Sequence, residues 1–221
     1  MSEHLEDDEQ VEALKRWWQE NGRSTVAAVV LAIAGTVGWQ QYQGWDLART
    51  EAASDAWDVV SVALDSADPE LRTQATVQAE LLIDEYSGSS YARYAAMKLA
   101  ALAVAERDFG SAESHLRQAL TSGPSDSALT ELIELRLARV LAAKGDEQGA
   151  LAILEAGSVA YPVAYSAAVG DIHLAAGREA QALTAYKTAR QAGLELGAPP
   201  GLLDAKITSL ETRLAGTENA S

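Results

Sequence analysis

The chain has 221 residues, no cysteine, and 32 acidic against 17 basic residues, for a formal net charge of −15. The absence of thiols excludes a disulfide framework, a thiolate metal site, a cysteine nucleophile and an acylated lipoprotein cysteine. The acidic balance repels phosphate backbones and excludes nucleic acid as a partner.

The first 23 residues form a head with seven acids and three bases. Val11, Leu14, Trp17 and Trp18 fall on one helical face beside Lys15 and Arg16, a pattern suited to lying on membrane lipid. Between Arg23 and Asp46 there is no charge at all: STVAAVVLAIAGTVGWQQYQGW. A bilayer core needs about 20 mostly apolar helical residues. Thr25 to Trp39 is apolar or small throughout, so the ends must help. Arg23 can snorkel at one end, and Trp39, Tyr42 and Trp45 can sit among headgroups at the other. The expected span is 24–43, an uncleaved signal anchor.

Two other readings of the stretch stay open. Ala32-Ile33-Ala34 matches a signal-peptidase pattern, although the long acidic head is wrong for a signal peptide. A buried core helix is the second. Lys15, Arg16 and Arg23 precede the span, and only Arg49 follows closely. The positive-inside rule then places residues 1–23 in the cytoplasm and 44–221 outside the inner membrane, in the periplasm. Ala28, Ala32 and Gly35, with Ala34 and Gly38, make small-x-x-x-small pairs that would let another membrane helix approach.

The rest reads as all-α. Apolar residues recur at three- and four-residue spacing, and β-branched runs are scarce. Helices are expected near 46–66, 69–86, 90–106, 109–122, 126–144, 147–157, 162–176, 179–193 and 199–215. The punctuation is specific: Asp68-Pro69-Glu70 starts a helix, and Gly123-Pro124 ends one before Ser125-Asp126 starts the next.

These helices pair, and the pairs repeat. Glu106-Arg107-Asp108, Lys144-Gly145-Asp146 and Ala176-Gly177-Arg178 align. Ala112, Ala150 and Ala182 follow each at the same distance, and Ala100, Ala138 and Gly170 precede it. Leu116, Leu154 and Tyr186 supply a large residue, and Pro124 and Pro162 close the first two units. Small residues let antiparallel helices approach while a large neighbour fills the gap. The pattern resembles the tetratricopeptide repeat, of period ~34. Units are expected at 92–124, 130–162 and 163–194, after a degenerate first pair, in a helical-repeat solenoid.

No catalytic pattern, phosphate loop, dinucleotide loop or metal spacing is present. His4, His115 and His173 are scattered. An enzyme is not expected, and neither is a cofactor. Binding remains. By analogy with such repeats, the first helix of each pair lines a groove, through Tyr94, Met97, Lys98 and Ala101. Leu132, Leu135, Arg136 and Arg139 follow, then Ala164, Ala167, Asp171 and Leu174. Such a groove suits an apolar segment or helix. The final helix, Leu202 to Leu214, could instead cover it.

QVEALKRWWQENG (Gln10 to Gly22), followed at once by the anchor, resembles the N-terminus of the YfgM family. LRLARVLAAKGDEQGAL (Leu135 to Leu151) and DAKITSL (Asp204 to Leu210) extend the resemblance along most of the chain. It implies an ancillary subunit of the Sec translocon, anchored by a single span, with a periplasmic tetratricopeptide-like domain. The implied partners are SecYEG, the membrane-anchored chaperone PpiD and unfolded secretory proteins, which it would help pass to periplasmic chaperones. The alternatives are a regulator of envelope-stress signalling acting through the head, and an assembly scaffold for another envelope complex.

Overall fold

The computed structural model describes residues 3–124, 126–197 and 201–218, and among these every regular element is an α-helix. They are α1 (Glu3–Leu64), α2 (Pro69–Glu85), α3 (Ser90–Ala105), α4 (Phe109–Thr121), α5 (Ser127–Lys144), α6 (Glu147–Glu155), α7 (Pro162–Ala175), α8 (Glu179–Glu195) and α9 (Leu202–Glu218). The chain divides into two compact units, Met1–Glu51 and Ala52–Ser221.

One expected boundary does not exist. No separate helix begins at 46, because α1 runs without a break to Leu64. Before Pro69 the chain has no proline, and its glycines there stand singly. A lone glycine costs a helix about 1 kcal/mol, which is not enough to end one. The remaining expected helices match those observed to within a few residues, although the expected start at 199 lies outside the described residues.

In the first unit, α1 is, among the described residues, the one helix long and apolar enough to cross a bilayer. Val26, Val29, Val30, Leu31, Ile33 and Val37 are all exposed. So are Ala28, Ala32, Gly35 and Gly38, and a Cβ added at Gly35 or Gly38 meets open space. The Trp18 indole lies against Gly22, where a Cβ would stand 3.2 Å from the ring. Asn21 donates to the Trp17 carbonyl, and its own carbonyl accepts from Ser24 and Thr25. The ENG tripeptide thus has local structural work in the helix. The side chains of Val11 and Leu14 lie outside the described residues. Further along, Trp39, Tyr42 and Trp45 form a ladder with centroids 6.1 and 6.4 Å apart, and Arg49 sits over the Trp45 ring at 5.3 Å.

In the second unit each helix from α2 onward packs on the next, and α5 also meets α7. Ala79, Ala92, Ala95, Ala96, Ala112, Ala119, Ala138 and Ala150 are all buried, so the repeat core is built from close backbone approach with leucines between. A second cluster joins α8 to α9 through Ala182, Tyr186, Ile207 and Leu210. The final helix therefore extends the stack at its C-terminal end.

The turn inside each pair is the same device three times. The Asp108, Asp146 and Arg178 N–H groups reach back to the carbonyls of Ala103, Leu141 and His173 at 2.8–2.9 Å, a Schellman closure. The residue directly after each starts the following helix, capped by Asp108 or Asp146 in the first two units. This closure needs a left-handed residue. Gly145 and Gly177 adopt φ of +96° and +74°, but the first unit places Arg107 there at +62°. A side chain in that conformation costs roughly 1–2 kcal/mol, and a glycine returns about half of the gain as unfolded-state entropy. Arg107→Gly is therefore expected to stabilise the chain by roughly 0.5–1 kcal/mol, read as a rise of a few degrees in the helical circular-dichroism melt. An unchanged or lower midpoint would show that the left-handed residue carries no strain.

Candidate protein-binding groove

Between α3, α4 and α5 the second unit holds an open cavity of about 330 Å³. Met97, Ala100, Ala101 and Val104 line it from α3, and Phe109 and Leu116 from α4. From α5 come Arg136, Arg139, Val140 and Ala143. The elements explain the shape. The buried Ala100 lets α4 pack closely on α3, and the short side chain of the exposed Ala101 leaves the space toward α5 unfilled. Phe109, the sole phenylalanine, follows the Asp108 cap directly, so the cap sets where its ring enters the wall.

The expected groove residues separate into three groups. Met97, Ala101, Arg136 and Arg139 meet at this cavity, with both arginines exposed. Met97 is itself only 6% exposed and belongs to the core, and Leu135, at 3%, faces the core and does not line the cavity. Leu132 is half-buried against the same core. An internal helix of a repeat stack contacts neighbours on two sides, so its apolar stripe is wider than one groove face.

Tyr94, Lys98 and Asp171 lie elsewhere. Tyr94 packs edge-on to Tyr91 and tilted on Trp57, each at 6.1 Å, which joins the tail of α1 to α3. Lys98 pairs with Asp65 at 2.5 Å. Asp171 accepts the Tyr186 hydroxyl at 2.6 Å and pairs with Lys206 of α9. Of the remaining expected positions, Ala164 and Ala167 are half-buried on α7, and Leu174 packs on the α8–α9 cluster. Among the described residues the last helix does not line the cavity: it packs on α8 and meets α7 at Leu174 and Asp171.

The charges around the groove are largely neutralised within the chain. Glu113 of α4 binds Lys144 at 2.8 Å and Arg117 at 2.7 Å. The Lys144 bond, then the Arg117 bond, hold its carboxyl below the usual carboxylate range. Glu131 of α5 accepts from the Ser158 hydroxyl and from the Ala160 N–H, and both pull its carboxyl down in that order. No group of three or more metal-ligating side chains occurs among the described residues.

One residue of structural weight has no signal in the periodicity. Arg93 of α3 is 2% exposed. Its guanidinium donates to the Ala119 and Pro124 carbonyls at 3.1 and 3.0 Å and to the Thr130 hydroxyl at 2.7 Å. In the 38-residue register Arg93 is the counterpart of Glu131. Each ties its own helix to the loop that closes its unit, one by donating and the other by accepting.

The chain is similar to known proteins along most of its length. A tetratricopeptide repeat-like domain family matches residues 15–212. A Haemophilus influenzae protein named ancillary SecYEG translocon subunit is 30% identical over 199 residues, covering 89% of this chain and 94% of that protein. One of the same name from Aggregatibacter actinomycetemcomitans is 30% identical over 192 residues, covering 86% and 92%. A third, from Neisseria gonorrhoeae, is 28% identical over 215 residues, covering 96% and 100%. No solved structure matches.

Proposed function

This chain belongs to the YfgM family, and on that premise we propose that it is an ancillary subunit of the SecYEG translocon in the inner membrane. It crosses the membrane once, binds other polypeptides and catalyses no reaction. The observation that carries this reading is that the likeness to proteins of that name runs through the apolar helix and the repeats together. A likeness confined to the repeats would support only a binding module.

The finer proposal concerns sides and partners. Residues 1–23 lie in the cytoplasm, with Lys15, Arg16 and Arg23 at that face. The Trp39–Tyr42–Trp45 ladder sits among headgroups at the other. The repeat unit is then periplasmic, where it meets emerging secretory polypeptides and a PpiD-like chaperone. Its cavity is a place to hold an apolar stretch of such a chain before a chaperone takes it.

Two experiments test this. Affinity purification of the full chain from gently solubilised membranes is expected to recover SecY. Photo-crosslinkers at Arg139 are expected to recover secretory polypeptides or the chaperone, and a purification with no Sec subunit would overturn the reading. Orientation is tested separately, because a chain without cysteine accepts single probes. Gln148→Cys is expected to react with an impermeant maleimide in spheroplasts. Glu20→Cys is expected to react only after permeabilisation. The reverse pattern would invert the topology.

A further inference from the structure

We propose that the cavity between α3, α4 and α5 selects acidic apolar segments: it seats an apolar side chain of a partner polypeptide while Arg136 and Arg139 hold a carboxylate close by in the same segment. This rests on the reading of the chain as a polypeptide-binding subunit and specifies what kind of segment it binds.

The charge pattern carries the inference. Acids outnumber bases by 32 to 17 in this chain, so a surface cation readily finds an internal partner. In the second unit eight of the thirteen do: Lys98, Arg117, Lys144, Arg178, Lys187, Arg190, Lys206 and Arg213 all pair with carboxylates. Arg136 and Arg139 pair with none among the described residues, and both line the cavity. They stand one helical turn apart on α5, so their guanidinium groups address the same space.

Among the described residues no acidic side chain lines the cavity. Glu113, on the neighbouring helix, is already held by Lys144 and Arg117. The two cations are thus set against an apolar wall of Met97, Val104, Phe109 and Leu116 with no internal carboxylate to satisfy them. A carboxylate from outside would meet two donors in forked geometry, in a place less hydrated than open surface. The volume accommodates one large apolar side chain or two small ones. A basic segment would be repelled, and an uncharged apolar one would leave both arginines unsatisfied.

The test uses the full chain in lipid nanodiscs and three fluorescein-labelled twelve-residue peptides. They share one Leu/Phe pattern and carry Asp and Glu, Asn and Gln, or Lys at the intervening positions. Fluorescence anisotropy, with empty nanodiscs subtracted, is expected to show the acidic peptide binding about tenfold more tightly than the amide peptide. Arg136→Gln with Arg139→Gln is expected to abolish that preference while the amide peptide binds as before. Arg136→Glu with Arg139→Glu is expected to transfer the preference to the lysine peptide. Both side chains are exposed, so the melting midpoint should not move and a folding defect is excluded by the same samples.

Equal binding of the three peptides would overturn the proposal, as would an acidic preference that survives the double Gln variant. Concentration-dependent self-association through this face, lost in the same variant, would also overturn it by naming a second copy as the occupant. Purification of SecY keeps the two readings apart. SecY recovered by a native chain that shows no peptide preference sinks this inference alone, and failure of the native chain to recover SecY sinks the functional reading.

Discussion

Gly170→Ala is expected to destabilise the third repeat by about 2 kcal/mol, and adding Tyr186→Leu is expected to leave the loss at about 2–3 kcal/mol instead of the roughly 4–5 kcal/mol that simple additivity gives. The reason is a contact. A Cβ built on Gly170 of α7 stands 2.5 Å from Cε1 and 2.6 Å from Cδ1 of Tyr186 on α8. Tyr186 is fully buried and cannot swing away. Its hydroxyl donates to Asp171 at 2.6 Å, and Lys206 covers the ring at 4.8 Å from its centroid. Burial first, and then Asp171, push the phenol's pKa well above its ordinary value, so the hydroxyl stays a donor at any physiological pH. Overpacking costs about 1–3 kcal/mol or more, while alanine returns up to about 1 kcal/mol of helix propensity.

The double variant follows from the other repeats. At the matching places they bury Ala100 with Leu116 and Ala138 with Leu154. The third unit has exchanged a smaller residue on one helix for a larger one on the other. Tyr186→Leu alone leaves a void and removes the bond to Asp171, at a cost of about 2–3 kcal/mol. With Ala at 170 part of that void is filled and the clash is gone. The two substitutions should couple favourably by about 2 kcal/mol in a double-mutant cycle of thermal melts. At roughly 2–4 °C per kcal/mol, Gly170→Ala alone should lower the midpoint by about 4–8 °C. Simple additivity would mean that the helices yield at this point and that the small–large rule does not govern their packing.

What was legible in the sequence was local chemistry. Asp68-Pro69, Asp108, Gly145-Asp146 and Pro162 punctuate the chain with caps and turn residues, and the helices begin and end where those signals stand. The alignment of Ala100, Ala138 and Gly170 with Leu116, Leu154 and Tyr186 carried the repeat. The continuity of α1 was not legible, because the change at Arg23 and Asp46 is a change of solvent preference and not of backbone preference. Arg93 was not legible because periodicity assigns a charged side chain to the surface, whereas its partners lie 26 to 37 residues away. The groove was legible in part. Arg136, Arg139 and Ala101 were found as first-helix positions. Phe109 and Leu116 come from the second helix, which the analogy did not assign to the groove.

Arg93→Met is expected to cost about 3–4 kcal/mol and to split the unfolding of the repeat unit into two steps. The substitution keeps an apolar stem of similar reach, so the loss isolates the guanidinium. Arg93 places three donors on two backbone carbonyls and a hydroxyl that belong to the end of α4, the α4–α5 loop and the start of α5. Each buried acceptor left without a donor costs about 1–3 kcal/mol, reduced where water can replace the donor, as it can near the exposed Pro124. The stem matters too. Gly123, at φ +73°, lies so close that a Cβ there would stand 2.7 Å from Arg93 Cδ and 2.8 Å from the Ser89 carbonyl. Arg93→Lys is expected to recover little, because one ammonium cannot satisfy three acceptors set in a fork. In a repeat stack, stability is close to a sum of units and interfaces, and cooperativity survives only while each interface outweighs the differences between units. Arg93 stands at the joint between the first and second repeats. Without it, amide exchange should show α2–α4 opening before α5–α9, where the native chain opens them together. A single coincident transition in the Met variant would place the joint's strength in its buried alanines instead.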